Sequence, residues 1–205
     1  VSGLVVILER KSELNRKFLQ TMQHEFALCE QAFDEFFILA GANIMGDGDY
    51  SLIQRSYSAY SRFVVHLYEF YVACFKRDQG STKRIDPEVL DMRLRAEVEK
   101  LMRNMCALIE NGRAPDWVND ISYYKEPVPQ DFGEKFRSVR NNAAHVDPRR
   151  AGVGNRISLK EFLDNYHKFL FFLFDAARPL WSPKRDKIYP IDHVAEFDLR
   201  RDKDS

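Results

Sequence analysis

Glycine and proline residues are concentrated in a few short regions of this chain, and the segments between them are long enough for helices. Within those segments apolar residues recur at steps of three and four, the spacing of one face of an α-helix. In residues 11–40 the stripe consists of Phe18, Met22, Phe26, Cys29, Phe33, Phe36 and Ala40. No segment shows the strict alternation of a half-buried strand. The sequence therefore predicts an all-α fold.

Local boundary signals divide the chain into about five long helices. They are predicted at residues 11–40, 51–78, 87–111, 131–145 and 159–181. Gly41 would stop the first helix, and Asp86 with Pro87 would open the third. Ser158 and Glu161 have the spacing of a capping box at the start of the fifth. Such helices predict a bundle of mostly antiparallel neighbours.

The chain of 205 residues is expected to form one domain over residues 1–181, followed by a charged tail over residues 182–205. Residues 113–130 contain three prolines and predict a link with one short turn of helix. The apolar block 169–174 is expected to lie in the core, or alternatively in a homodimer interface.

Cellular location is inferred from cysteine usage and hydropathy. Cys29, Cys74 and Cys106 are widely spaced in apolar segments and predict buried thiols in a reducing compartment. No apolar run approaches the ~20 residues of a membrane span, and residues 1–8 lack the features of a secretory signal. We therefore expect a cytoplasmic protein without a membrane partner.

Several kinds of site are not indicated by the sequence. The five histidines form no pair at zinc-ligand spacing, and the glycines around residues 41–48 lack the Lys-Ser/Thr of a phosphate-binding loop. No calcium loop is complete either. We therefore expect neither a metal nor a cofactor.

One segment at the predicted fourth helix has a sharply divided surface, residues 132–146, which read FGEKFRSVRNNAAHV. At about 100° per residue, its apolar positions form one stripe while Arg137, Asn141 and His145 cluster opposite. Arg140 lies at the edge of the stripe, about 140° from His145. A helix end, a kink or a second subunit would be needed to bring these two side chains together.

The same region is the strongly basic window of an otherwise neutral chain, which has 31 basic and 31 acidic residues. Residues 135–156 hold one acid, Asp147, and six bases: Lys135, Arg137, Arg140, Arg149, Arg150 and Arg156. Guanidinium groups bind phosphate oxygens bidentately, and imidazole exchanges protons near neutral pH. RNA is the natural substrate for this pair, since its own 2′-hydroxyl can attack the adjacent phosphorus once deprotonated.

At Arg140-Asn141-Asn142-Ala143-Ala144-His145 the chain resembles the HEPN superfamily, whose signature is Arg-x(4-6)-His with a polar residue after the arginine. HEPN proteins are small helical bundles, and many are metal-independent endoribonucleases of toxin-antitoxin and phage abortive-infection systems. They are usually dimers that place two motifs in one cleft. Some members paired with nucleotidyltransferase antitoxins carry Tyr two residues after the histidine, whereas this chain has Asp147, which argues against that pairing.

The resemblance implies catalytic roles for Arg140, as phosphate ligand, and His145, as general acid and base. Asn141 would set their geometry, and RNA would be held by Arg137, Lys135, Arg149 and Arg150. A homodimer and an antitoxin protein are the expected partners.

Two other interpretations of the same residues stay open. One is a non-catalytic helical dimer that binds a protein partner or a nucleotide, and the other is a purely structural bundle. In either case His145 would be a cation at the helix end and the arginines a solvated face. Arg62, His66 and Glu69 on the second helix would form an auxiliary polar wall or an ordinary exposed face.

Overall fold

The computed structural model describes residues 2–46, 49–116, 118–144, 157–182, 191 and 194, apart from the side chains of residues 2–12 and 144. These residues form six α-helices and no strand: α1 Ser2–Met45, α2 Tyr50–Asp78, α3 Pro87–Glu110, α4 Ile121–Lys125, α5 Phe132–Ala144 and α6 Leu159–Trp181. The all-α bundle is confirmed. There are six helices rather than five because one turn, α4, forms in the predicted link. Among the described residues, no helix combines the length and the hydropathy that a membrane span requires.

The helix boundaries follow the local capping signals. Asp86 accepts hydrogen bonds from the first amides of α3, and Ser158 Oγ accepts one from the Glu161 amide at 3.0 Å. Gly80 and Gly112 follow α2 and α3 with φ angles of 60° and 62°. This left-handed conformation is open to glycine without steric cost, so both residues end their helices as predicted.

The first helix is longer than predicted at both ends, because it begins at Ser2 rather than near residue 11 and Gly41 does not stop it. α1 continues through Gly41 to Met45. A glycine inside a helix costs about 1 kcal/mol relative to alanine. Packing of α1 along α2 offsets that cost, since these two helices make the most extensive contact in the bundle.

Most neighbouring helices run antiparallel. The contact pairs that show this are Asn15–Arg77 and Glu35–Arg62 between α1 and α2, and Phe132–Phe169 and Phe136–Phe162 between α5 and α6. α2 and α6 run parallel, since Tyr60 contacts His167 and Tyr71 donates a hydrogen bond to the Leu173 carbonyl. α6 therefore packs along the groove between α1 and α2.

Aromatic side chains fill the centre of the bundle. Phe26 lies 5.1 Å from Phe70 and 5.7 Å from Phe174, measured between ring centroids, and all three rings are buried. The block 169–174 supplies Phe174 and three more buried residues, whereas Phe171 is half-exposed. This block therefore belongs mainly to the core of its own chain.

The three cysteines are free, and Cys29 is buried while Cys74 and Cys106 are half-buried. Burial raises the pKa of Cys29, and it raises the pKa of Cys74 to about 12. Since the thiolate is the reactive form, these two thiols are unreactive at neutral pH.

Candidate functional site

The structure describes four of the predicted site residues, all on α5: Lys135, Arg137, Arg140 and Asn141. The other three lie outside the described residues: His145, Arg149 and Arg150. Asp147 and Arg156 of the basic window lie outside them as well. The described part of the site is therefore the helix that leads to position 145.

A close contact with α3 fixes the start of α5. A Cβ atom placed on Gly133 would lie 2.3 Å from the carbonyl oxygen of Asp91, so only glycine fits here. Phe132 and Phe136 are fully buried on the same helix, and Val139 nearly so. These contacts hold α5 against the bundle and set the direction in which its polar residues project.

Arg140 is held by three groups at the far end of α5. Its Nη2 donates to Glu69 of α2, and its Nη1 donates to the Asn141 side-chain oxygen at 3.0 Å. The guanidinium carbon lies 5.6 Å from the centre of the Tyr68 ring, within cation–π range. Nε is buried and has no hydrogen-bond partner in the described chain. About a quarter of the side chain, 26%, is exposed.

Arg137 is bound to a second carboxylate. Its Nε and Nη2 donate to Asp91 of α3 at distances of 2.8–3.1 Å, a forked arrangement. The hydrogen bond to Asp91 raises the pKa of Arg137, which keeps it protonated at every physiological pH. The Arg137 guanidinium therefore links α5 to α3, and its Nε–Nη2 edge is occupied by the Asp91 carboxylate.

The other two described residues are held less firmly. Lys135 Nζ lies 3.9 Å from a carboxylate oxygen of Asp131 one turn earlier, a loose ion pair. Asn141 is exposed, and in the described contacts it accepts the hydrogen bond from Arg140. Asn141 thus contacts the arginine directly, and its role toward His145 stays a prediction.

Tyr68 is almost fully buried, and its hydroxyl is within electrostatic range of both arginines. Burial, followed by the charge of Asp91, raises the pKa of Tyr68 to about 12, although Arg137 and Arg140 oppose this shift. The hydroxyl therefore stays protonated near neutral pH and is not a general base. Its ring serves as a platform for Arg140.

The three polar residues singled out on α2 make two interhelical ion pairs and one histidine–carboxylate contact. Arg62 pairs with Glu35 at 2.6 Å and His66 Nδ1 lies 2.9 Å from Glu25, both on α1. Glu69, the third member, pairs with Arg140 on α5. Arg62 is exposed, whereas His66 and Glu69 are partly buried, so the part of this face near α5 is the more enclosed.

Two open grooves of about 330 and 350 Å³ run along α3, and neither is basic. The first, beside α5, is lined by five carboxylates and Arg95: Glu88, Asp91, Glu99, Asp131 and Glu134. The second, beside α4, carries both signs of charge. An RNA backbone would be repelled by the first groove, so the end of α5 is the better phosphate-binding surface.

The cluster at the end of α5 suits the binding of an anion rather than a metal cation. Within the described ranges no group of three or more His, Cys, Asp or Glu side chains is arranged to hold a metal ion. Arg140 uses one N–H group of Nη1 for Asn141 and one N–H group of Nη2 for Glu69. Each of these two nitrogens carries a second N–H group. Those groups can donate to a phosphate oxygen.

Sequence reasoning missed two residues that control the site, Asp91 and Tyr68, and undervalued Glu69. A partial signal existed for Glu69, which lies off the apolar stripe of α2 beside Arg62 and His66. Asp91 gave none, because its partner Arg137 is 46 residues away along the chain.

Comparison with known proteins supplies no family for the chain. No protein-family model, curated protein or solved structure matches it. A function must therefore be inferred from the residues described above.

Proposed function

We propose that this chain is a metal-independent endoribonuclease of HEPN type, acting in a toxin-antitoxin or phage-defence system. The observation that carries the proposal is the fixed position of Arg140. This arginine lies one turn before the last residue of α5, oriented by Glu69, Tyr68 and Asn141, and His145 follows five positions later. A pre-oriented guanidinium stabilises charge that develops on a phosphate, because no reorganisation is needed during the reaction.

The proposed reaction uses the nucleophile that RNA carries. His145 removes the proton from a 2′-hydroxyl, whose oxygen attacks the adjacent phosphorus. Arg140 binds a non-bridging oxygen of that phosphate, and the imidazolium so formed on His145 gives its proton to the departing 5′-oxygen. The products are a 2′,3′-cyclic phosphate and a 5′-hydroxyl. Lys135, Arg149 and Arg150 contribute positive charge along the RNA, with a smaller share from Arg137.

A non-catalytic dimer that binds a protein partner or a nucleotide is the second candidate. It is favoured by the carboxylates that occupy Arg137 and Arg140, which lower the positive potential of α5. The formal charge of the chain is also zero, whereas RNA binding gains much from cationic surface.

The two candidates differ in one assay. Purified protein is incubated with mixed single-stranded RNA in EDTA, and wild type is compared with His145→Ala and Arg140→Ala. The nuclease proposal expects each substitution to lower the cleavage rate by about 10²-fold or more. Fragments should carry 2′,3′-cyclic phosphate ends.

Two matched variants control for the loss of a histidine or an arginine elsewhere. His24→Ala changes a residue of α1, and Arg103→Ala removes an exposed side chain of α3. Both should cleave at the wild-type rate. Equal cleavage by all five proteins would point to a contaminating ribonuclease, and no cleavage by wild type would favour the non-catalytic dimer.

A further inference from the structure

The tip of the α1–α2 hairpin exposes an unusual number of large apolar side chains. We call these seven residues the tip patch: Phe37, Ile38, Ile44, Met45, Tyr50, Ile53 and Tyr57. Their exposed fractions range from 47% to 88%. Residues 36–46 contain none of the charged residues of a chain that is 30% charged. The charged residues of the hairpin end are Asp47, Asp49 and Arg55, so the α1 half is the uncharged part of this surface and is suited to burial.

The two halves of the tip patch lie on the same side of the hairpin. Phe37 lies one turn after Phe33, and the Phe33 ring centroid is 5.9 Å from that of Phe171 on α6. Tyr57 lies one turn before Tyr60, and the Tyr60 hydroxyl is hydrogen-bonded to His167 of α6. Residues one turn apart share a helix face, so both stripes continue the side on which α6 packs.

The main core ends before it reaches the tip patch. On α2, the buried hydrophobic core begins at Tyr60. On α1, the last residue that packs against this core is Phe36, which is partly buried. Beyond these points the buried side chains are Leu39, Ser56 and Ala59. The hairpin tip therefore packs mainly on itself, and its outer apolar side has no partner among the described residues.

The exposed area is large enough for a stable interface. With about 200 Å² for a fully exposed aromatic side chain and slightly less for an aliphatic one, the tip patch presents about 900 Å² per chain. The largest apolar patch on a typical monomer is about 300–600 Å². A standard interface buries about 800 Å² on each partner, which the tip patch alone supplies.

We infer that the tip patch is the surface through which two copies of this chain associate about a two-fold axis. A two-fold interface must be complementary to itself. The seven side chains of the tip patch are uncharged, so two patches meet without repulsion between like charges, and two antiparallel helix pairs pack into a four-helix arrangement. This association does not depend on the proposed nuclease activity.

The inferred interface differs from the homodimer seam considered for residues 169–174. Most of that block is buried inside its own chain. Phe171 is its half-exposed member, and it contacts Phe33 beside the tip patch. Phe171 therefore lies at the rim of the inferred interface rather than at its centre.

The test is the mass of the full chain in solution, measured by sedimentation equilibrium at micromolar concentrations. Wild type should sediment at twice the 24.1 kDa mass of one chain. Ile44→Glu and Tyr57→Glu should each raise the dissociation constant by about 100-fold or more, because two-fold symmetry brings two carboxylates into the apolar interface. Both positions are exposed in the single chain, so circular dichroism should show unchanged helicity.

Met92→Glu is the matched control, because Met92 is an exposed apolar residue of α3 outside the tip patch. This variant should dimerise like wild type. A monomeric wild type would overturn the inference. So would a dimer that survives Ile44→Glu and Tyr57→Glu, or one that Met92→Glu disrupts equally.

Discussion

The Glu69–Arg140 pair should contribute measurably to stability, and a double-mutant cycle can isolate its contribution. Glu69→Gln keeps the shape of the side chain but removes its charge, and Arg140→Met keeps an apolar stem beside Tyr68. The exposed fractions of the two charged side chains are 31% and 26%. Such a pair is intermediate between a surface ion pair and a buried one.

The expected magnitude follows from this partial burial. Exposed ion pairs contribute about 0.2–1 kcal/mol, whereas hydrogen bonds to charged groups contribute about 1.5–3 kcal/mol. We expect a coupling energy of about 1.5 kcal/mol for Glu69 with Arg140. Glu69→Gln alone should be destabilising, because Arg140 also has a buried Nε without a partner in the described chain.

The measurement is urea unfolding at 25 °C of wild type, the two single variants and the double variant. Lys160 and Asp164 provide the control pair, one turn apart on α6 and 74% and 51% exposed. Their coupling should be about 0.3–0.5 kcal/mol and should disappear at about 1 M salt, which screens exposed charges. A Glu69–Arg140 coupling no larger than this control would refute the view that α2 fixes the arginine.

Two further predictions concern stability. Gly133→Ala should destabilise the protein by about 2–3 kcal/mol in urea unfolding, because its Cβ would overlap the backbone of α3. Gly41→Ala, with no atom within 4 Å of the new Cβ, should instead stabilise it by up to about 1 kcal/mol, and equal effects would contradict both assignments. Burial lowers the pKa of His167 below 6.5. Below pH 6.5 the unfolded chain therefore binds a proton that the folded chain does not. The free energy of unfolding should decrease as the pH is lowered, until the pH reaches the pKa of the folded state. This decline should be shallower in His167→Gln, and an unchanged slope would contradict the prediction.

Local signals in the sequence were sufficient for most helix ends. Asp86, Ser158 and the two glycines with positive φ act through contacts within a few residues, so their positions can be read without the fold. Gly41 was misread because the fate of a helical glycine depends on packing with a distant segment. Here α2 provides that packing, and α1 continues to Met45.

The partners of the site residues could not be predicted, since they are distant in the chain. Glu69 precedes Arg140 by 71 residues, and Asp91 precedes Arg137 by 46. The helical wheel placed Arg140 at the edge of the apolar stripe, but the wheel describes one helix and cannot identify the side chains of the next. A basic window in sequence therefore need not form a basic surface.

The tip patch shows a similar limit. Phe36 and Phe37 are adjacent and chemically identical, yet Phe36 packs against the core and Phe37 is largely exposed. The apolar stripe of α1 predicts which face of the helix turns inward. It does not predict where the neighbouring helices stop, and the extent of those helices decides how much of the stripe is covered.

Internal pairing of the arginines changes the role that the proposed mechanism can give them. A guanidinium already bound to Glu69 or Asp91 adds little to the long-range attraction of RNA, because a carboxylate at hydrogen-bond distance cancels most of its field. The same carboxylate fixes the guanidinium in space, and catalysis by positioned charge depends on that fixation rather than on affinity. Arg140 is therefore better suited to stabilising a transition state than to capturing substrate. Affinity for RNA would have to come from groups without an internal partner, or from a second copy of the chain that doubles the binding surface.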